Sequence, residues 1–351
     1  MSISVDLLCN AGSANFSGKA DIQPQLGWIE RRAELYPVHP LIASSIALPT
    51  PPIKEVYQDI RRNVVLREPG CCILAGTGVG KSFALHVIAE QLRHDFPGIV
   101  VYRHNAHYHN VASVRGFFQH FLSTVHQPNR KGETFELRLR LVNTMADEAD
   151  QSTLRLVVLL IDEAQELLVS DYRFLKDVYN DLEQDGIHLI CVLMGEPPSN
   201  RIPTSYIQGD QSLIDRFSHR IFELRSFVSV ADIRYVLQAI DSEVFLGSPP
   251  VRWTQFFFPL AYDHGFRLES QAGVLLAALK NVAHLPRLRA GVPARLLFGA
   301  IKVFLIDFAG ADSAALKLPQ DAWSLAVRHA LPCDLPRHNE LETDGTDNVS
   351  L

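Results

Sequence analysis

The chain has 351 residues, 47% hydrophobic and 21% charged, with a formal net charge of −6. That apolar content excludes an intrinsically disordered chain and suffices for one large α/β module with extensions, or for two domains. The acidic balance excludes a globally basic nucleic-acid binder, so any such contact must come from a local basic surface or from several subunits side by side. The cysteines form no CxxC and no Cys/His metal spacing; Cys71, Cys72 and Cys191 lie in apolar runs, as buried thiols of a reducing cytoplasm do. The N-terminus lacks a signal-peptide pattern, and no run approaches the ~20 apolar residues of a membrane span, so a cytoplasmic chain without a membrane partner is expected.

Residues 1–25 are rich in Ser, Gly and Asn and read as a flexible arm. Residues 26–66 read as a strap and a helix: Trp28, Tyr36, Pro37, His39 and Pro40 anchor the strap on the core, and Ile53, Val56, Ile60 and Val64 have helical spacing. Between 67 and 226 short apolar runs alternate with amphipathic stretches. The runs are Cys71–Ala75, Ile99–Tyr102, Leu156–Ile161, Ile187–Met194 and Ile221–Leu224. Such alternation predicts a parallel sheet with helices on both faces. A helix from about Tyr172 to Gln184 should stop at Gly186. From 227 to 332 the pattern predicts helices only, near 229–242, 254–264, 268–280, 293–308 and 319–330. The tail at 333–351 is polar and acidic, and reads as a mobile end or a docking peptide.

The first apolar run leads directly into Ala75-Gly76-Thr77-Gly78-Val79-Gly80-Lys81-Ser82 and then an amphipathic helix. This is a Walker A loop in its strand–loop–helix context. Its glycines let backbone N–H groups point inward around phosphates, and the helix N-terminus adds positive potential. Gly76, Thr77, Gly78, Val79, Gly80, Lys81 and Ser82 are the predicted ATP-binding residues, with Lys81 on the β/γ-phosphates and Ser82 on Mg²⁺. The usual first glycine is replaced by Ala75, which works if that backbone avoids positive φ. The run Leu156–Ile161 ends in Asp162-Glu163-Ala164-Gln165, a Walker B pattern. Asp162 is expected to hold Mg²⁺, and Glu163 to polarise the attacking water.

These motifs, with Met194-Gly195-Glu196-Pro197, Asp215-Arg216-Phe217-Ser218-His219-Arg220 and Gly291-Val292-Pro293-Ala294-Arg295 in that order, resemble the TnsC/TniB family of AAA+ transposition regulators. The resemblance covers roughly residues 27–310, including the strap segment Tyr36-Pro37-Val38-His39-Pro40. It implies an AAA+ P-loop NTPase fold: a parallel five-stranded sheet flanked by helices, plus a C-terminal helical lid. It implies Glu196 as a sensor at a strand end, Arg216 or Arg220 as an arginine finger reaching a neighbour's ATP, and Arg295 as a lid residue on the γ-phosphate. It further implies a ring or helical filament on double-stranded DNA, a TniQ-like adaptor, a DDE transposase, and ATP hydrolysis as a switch. A secretion- or STAND-like ATPase acting through protein partners without DNA is the alternative.

On the chain's own terms, DNA contact would fall on the polar loop after the second run, with Arg103 and His107, and on Arg115, Arg130 and Lys131 beyond it. The same residues also read as a solvated loop. His104, His107 and His109 lack Cys or carboxylate partners in zinc-ligand spacing.

Overall fold

Leu156–Asp162 is buried at every residue, which marks a strand covered on both faces. The computed structural model describes residues 32–44, 48–108, 111–196, 210–247, 250–281 and 291–331. The arm at 1–25, the start of the strap, His109 and the tail at 333–351 lie outside the described residues.

In chain order the helices are α1 (Arg32–Leu35), α2 (Pro40–Ala43), α3 (Pro51–Leu66), α4 (Lys81–Asp95), α5 (Val114–Thr124), α6 (Thr134–Ala149) and α7 (Val169–Gln184). They continue with α8 (Gln211–Phe217), α9 (Val230–Ser242), α10 (Trp253–Phe257), α11 (Pro259–Asp263), α12 (Ala272–Asn281), α13 (Ala294–Phe308) and α14 (Ala322–Ala330). The strands are β1 (Gly70–Ala75), β2 (Val100–Asn105), β3 (Leu156–Asp162), β4 (His188–Gly195), β5 (Arg220–Leu224), β6 (Val244–Gly247) and β7 (Pro250–Arg252).

The first five strands form one parallel sheet in the order β2-β3-β4-β1-β5. Each expected strand is present with its ends displaced by at most three residues, and α7 ends where Gly186 takes φ +71. One apolar core lies between the sheet and α5, α6 and α7. A second lies on the opposite face under α3 and α4.

A third core belongs to the C-terminal helices, and the strap joins it: Leu35, Leu41 and Leu48 are buried there. His39 is fully buried, with its ring 4.7–5.5 Å from those of Phe245, Trp253, Phe256 and Phe257. Burial lowers its pKa to about 4, so the ring is neutral, and its Nδ1 accepts from the Leu41 N–H at 3.2 Å. The strap is thus an apolar plug for the helical region.

The expectation of helices only beyond 226 is corrected by the antiparallel ribbon β6–β7. Val244, Phe245 and Val251 favour extended backbone, and so short a run shows no helical period. The single helix expected over 254–264 is two, because Pro259 has no N–H to continue the first.

Arg225 joins the sheet layers to the helical region. Its guanidinium donates to Glu55 of α3 at 2.8 and 2.6 Å and to Asp232 of α9 at 2.9 and 3.0 Å. Asp232 also accepts the backbone N–H groups of Val228 and Ser229, both at 3.1 Å. Burial raises the Asp232 carboxyl, but these hydrogen bonds outweigh it and bring the pKa to about 2. A carboxyl depressed on folding contributes stability above its unfolded pKa and loses it as pH falls through the folded one. Arg225→Ala should cost about 2 kcal/mol in urea unfolding at pH 7, between the worth of an exposed pair and that of a buried one. In the parent this contribution should fade between pH 4 and 2; in the variant, acid unfolding should begin at higher pH.

Candidate nucleotide site

The C-terminal ends of β1, β3 and β4 lie side by side, and the polar residues of the sequence motifs converge there. Ala75 closes β1 in extended backbone, so its methyl group is tolerated. The loop then turns through Gly78 at φ +78 and Gly80 at φ +96, conformations open to glycine at little cost. Gly80 caps α4, whose first residue is Lys81.

Lys81 and Asp162 are each only 9% exposed. Lys81 Nζ lies 2.7 Å from Glu196 Oε1 and 3.6 Å from Glu163 Oε2. The Thr77 hydroxyl also donates to Glu196 Oε1, at 3.0 Å. The hydrogen bond from Lys81 is the main reason that the Glu196 carboxyl is held below the usual glutamate range; burial opposes it and Thr77 assists. Ser82 Oγ donates to Asp162 Oδ2 at 2.6 Å, and the Glu163 N–H donates to Asp162 Oδ1 at 2.9 Å. Glu163 itself adopts φ +52, a left-handed conformation costing a non-glycine residue about 1 kcal/mol or more. Gln165 donates to Glu163 Oε2 at 2.5 Å and accepts the Glu196 N–H at 3.2 Å.

The Ser82 hydroxyl and the Asp162 carboxylate present adjacent hard oxygen atoms beside the phosphate loop. Such a pair fits Mg²⁺, which keeps several waters and takes its remaining ligands from phosphate. Among the described residues, no group of three His, Cys or carboxylate side chains could hold a metal unaided.

Arg295, the second residue of α13, donates its backbone N–H to the Gly78 carbonyl at 2.9 Å, while its side chain is exposed. The strap, the phosphate loop and α13 enclose a largely apolar cavity of about 380 Å³ bordered by Leu41, Leu48, Ile53, Val79, Phe83 and Phe298. Sequence reasoning did not find this cavity, because its walls come from three distant segments with no shared motif. It also gave no role to Gln165, whose position two residues beyond the acid pair was the only signal.

Arg216 and Arg220 lie at the other end of the sheet. A Cβ on Gly70, which begins β1, would meet the Arg216 carbonyl, and Arg220 is in register with Cys71. The five steps from Gly70 to Ala75 span about 16 Å at ~3.3 Å per residue, further than an arginine side chain reaches. Neither can serve its own phosphate loop. Arg216 donates to the Ser212 carbonyl at 3.3 Å and to Asn180 at 3.2 Å, over the Tyr179 ring. Arg220 is exposed and makes a two-pronged pair with Glu68 at 2.5 and 2.6 Å.

Of the five residues expected at DNA, Arg103 and His107 both border His120 of α5. Alternation along β2 sends Val101 into the core under α4 and Tyr102 into the core under α5. Arg103 follows Val101 and contacts His86 of α4 at 3.1 Å. His104 stacks on Phe121 at 3.8 Å and hydrogen-bonds Thr124 at 2.7 Å, and burial, with His120 and His107 adding, lowers its pKa to about 3. His107 stacks on His120 of α5. The loop bearing Arg130 and Lys131 is pinned over α5 and α6: Gln119 donates to the Arg130 carbonyl at 2.9 Å, and Arg140 to those of Asn129 and Lys131 at 3.1 and 3.0 Å. Arg115, one turn before Gln119 on α5, and Arg130 and Lys131 are all exposed, as are Glu133 and Glu136 beyond them.

The sheet order, the glycine loop on β1 and the acid pair on β3 define an AAA+ P-loop fold with C-terminal helices. Residues 65–202 match the AAA domain family. Among solved structures, Cdc6p from Pyrobaculum aerophilum aligns with a TM-score of 0.50 and 13% identity, over 78% of this chain and 66% of that one. Domain III of the replication initiation protein DnaA from Thermotoga maritima aligns with a TM-score of 0.45 and 14% identity, over 82% and 95%. The Aeropyrum pernix ORC1 protein, solved in complex with DNA, gives 0.45 and 10%, over 82% and 70%. At 13% identity the likeness to Cdc6p is one of fold. No curated protein matches the chain.

The placement of the two arginines leads to a mixing test. Glu163→Gln and the double variant Arg216→Ala/Arg220→Ala should each bind ATP and each lose at least about 100-fold in turnover. Mixed together they should recover part of it, because one contributes arginines and the other an intact acid. Failure of the mixture to exceed its components would show that the arginines do not act on a neighbour.

Proposed function

We propose that this chain is a Mg²⁺-dependent ATPase that assembles on double-stranded DNA and regulates transposition, linking a target-selecting adaptor to a transposase. The observation that carries the ATPase reading is the meeting of Lys81, Ser82, Asp162 and Glu163 at one end of the sheet, with Ser82 on Asp162 at 2.6 Å and Glu163 3.6 Å from Lys81. Backbone N–H groups of residues 76–82 and Lys81 hold the triphosphate. The apolar cavity between strap and α13 suits the face of a purine. Ser82 and Asp162 would hold Mg²⁺, whose positive charge would screen the phosphates. Glu163 orients the attacking water and accepts its proton. Glu196 and Arg295 flank the terminal phosphate from β4 and α13.

Assembly follows from the arginines. A site whose charge complement lies at the far end of the sheet is completed only by a docked neighbour, so turnover belongs to a ring or filament. Arg115, Arg130 and Lys131 supply phosphate contacts, weak in one subunit and additive along a filament. The transposition role rests on the ordered motifs shared with the TnsC/TniB family, and the adaptor and transposase are the partners that this likeness implies. Among the described residues, no helix is long and apolar enough to cross a membrane.

Sedimentation and negative-stain imaging with a nonhydrolysable ATP analogue, with and without duplex DNA, test this reading. Rings or filaments should form only with nucleotide and should be promoted by duplex. The logarithm of DNA affinity should fall with the logarithm of salt at a slope of about −3 per subunit, and Arg130→Ala/Lys131→Ala should reduce that slope by about 2. Assembly indifferent to duplex would favour an ATPase that acts through protein partners alone.

A further inference from the structure

Three hydrogen bonds and one ion pair at the candidate site close a circuit through three loops. Lys81 donates to Glu196 at 2.7 Å, the Glu196 N–H donates to Gln165 Oε1 at 3.2 Å, Gln165 Nε2 donates to Glu163 Oε2 at 2.5 Å, and Glu163 Oε2 returns to Lys81 at 3.6 Å. Gln165 is the neutral member of the circuit. Its amide offers donors on one side and an acceptor on the other, and both neighbours fix which way it faces. A flipped amide would set its oxygen against the Glu163 carboxylate and its N–H₂ against the Glu196 N–H.

The backbone beneath Gln165 is equally constrained. It sits in a tight turn, Ala164–Glu166, in which the Glu166 N–H meets the Glu163 carbonyl at 2.9 Å. Ala164 is fully buried, and its carbonyl accepts from the Tyr172 hydroxyl at 3.2 Å. Gln165 therefore aims from a rigid base. It occupies one oxygen of Glu163 and leaves the other for water.

From this circuit we infer that Gln165 is the positioning residue that holds Glu163 for proton transfer and makes its placement depend on what Lys81 grips. A terminal phosphate competes with Glu196 for Lys81 and Thr77. Movement of Glu196 then reaches Glu163 through a single side chain, because Gln165 holds the Glu196 backbone with its oxygen and the Glu163 carboxylate with its nitrogen. The inference rests on the ATPase reading of the same site.

Gln165→Glu separates this role from packing. The glutamate keeps the shape and can still accept the Glu196 N–H, but it has no donor for Glu163. Full-length parent, Gln165→Glu and Gln165→Ala are compared for Mg-ATP affinity and for phosphate release with duplex DNA present. Both variants should bind ATP within about threefold of the parent and lose about 10- to 100-fold in kcat, the scale of a misplaced catalytic group. Gln165→Glu with parental kcat would overturn the inference and leave the ATPase reading standing. Equal loss of ATP affinity and kcat in both variants would also overturn it, by making Gln165 a structural residue. A parent that binds ATP and releases no phosphate would remove the ATPase reading and this role together.

Discussion

The ammonium of Lys81 is a nearly buried charge at the mouth of a parallel sheet, and the surrounding structure is arranged around the need to pair it. An ammonium taken out of water without an anion costs several kcal/mol. Here the carboxylates of Glu196 and Glu163 meet that need, one from the end of β4 and one from the end of β3. The sheet order β2-β3-β4-β1-β5 places the loop of β1 next to β4, with β3 one strand further out. Three loops far apart in sequence thereby become one polar pocket on an apolar platform. A triphosphate is the ligand whose charge and shape fit such a pocket, because it offers Lys81 more anionic oxygens than two carboxylates can.

The helical region enters the same pocket from above. α13 seats the backbone N–H of Arg295 in its first turn on the glycine loop, and the strap brings its own apolar residues into the core beneath that helix. Arg225 fastens α9 to α3. The cavity between phosphate loop and helices is therefore bounded by segments that answer to each other. On the proposed reading, the arginines at the opposite end of the sheet would give the molecule a donor end and an acceptor end, as head-to-tail assembly requires.

Much of the sheet was legible in the sequence because a parallel strand buried on both faces is apolar along its length, as Leu156–Ile161 is before the strand ends in Asp162. The phosphate loop was legible because its glycines answer to backbone conformation: Gly78 and Gly80 have positive φ. What could not be read was set by contacts between distant segments. His39 reads from the sequence as a strap anchor, but its partners Phe245, Trp253, Phe256 and Phe257 come from a segment far along the chain and could not be named. Gln165 looks like a surface amide until Glu196 arrives from β4. The ribbon β6–β7 was missed because seven strand residues carry too little periodicity to compete with the helices on either side.

The central claim is that Lys81 is the grip for a triphosphate. Titration of Mg-ATP into the parent and into Lys81→Ala by calorimetry tests it directly. The parent should bind, and the variant should lose at least about 100-fold in affinity, the cost of a charge-assisted pair at a desolvated site. Parental affinity in Lys81→Ala would contradict the account.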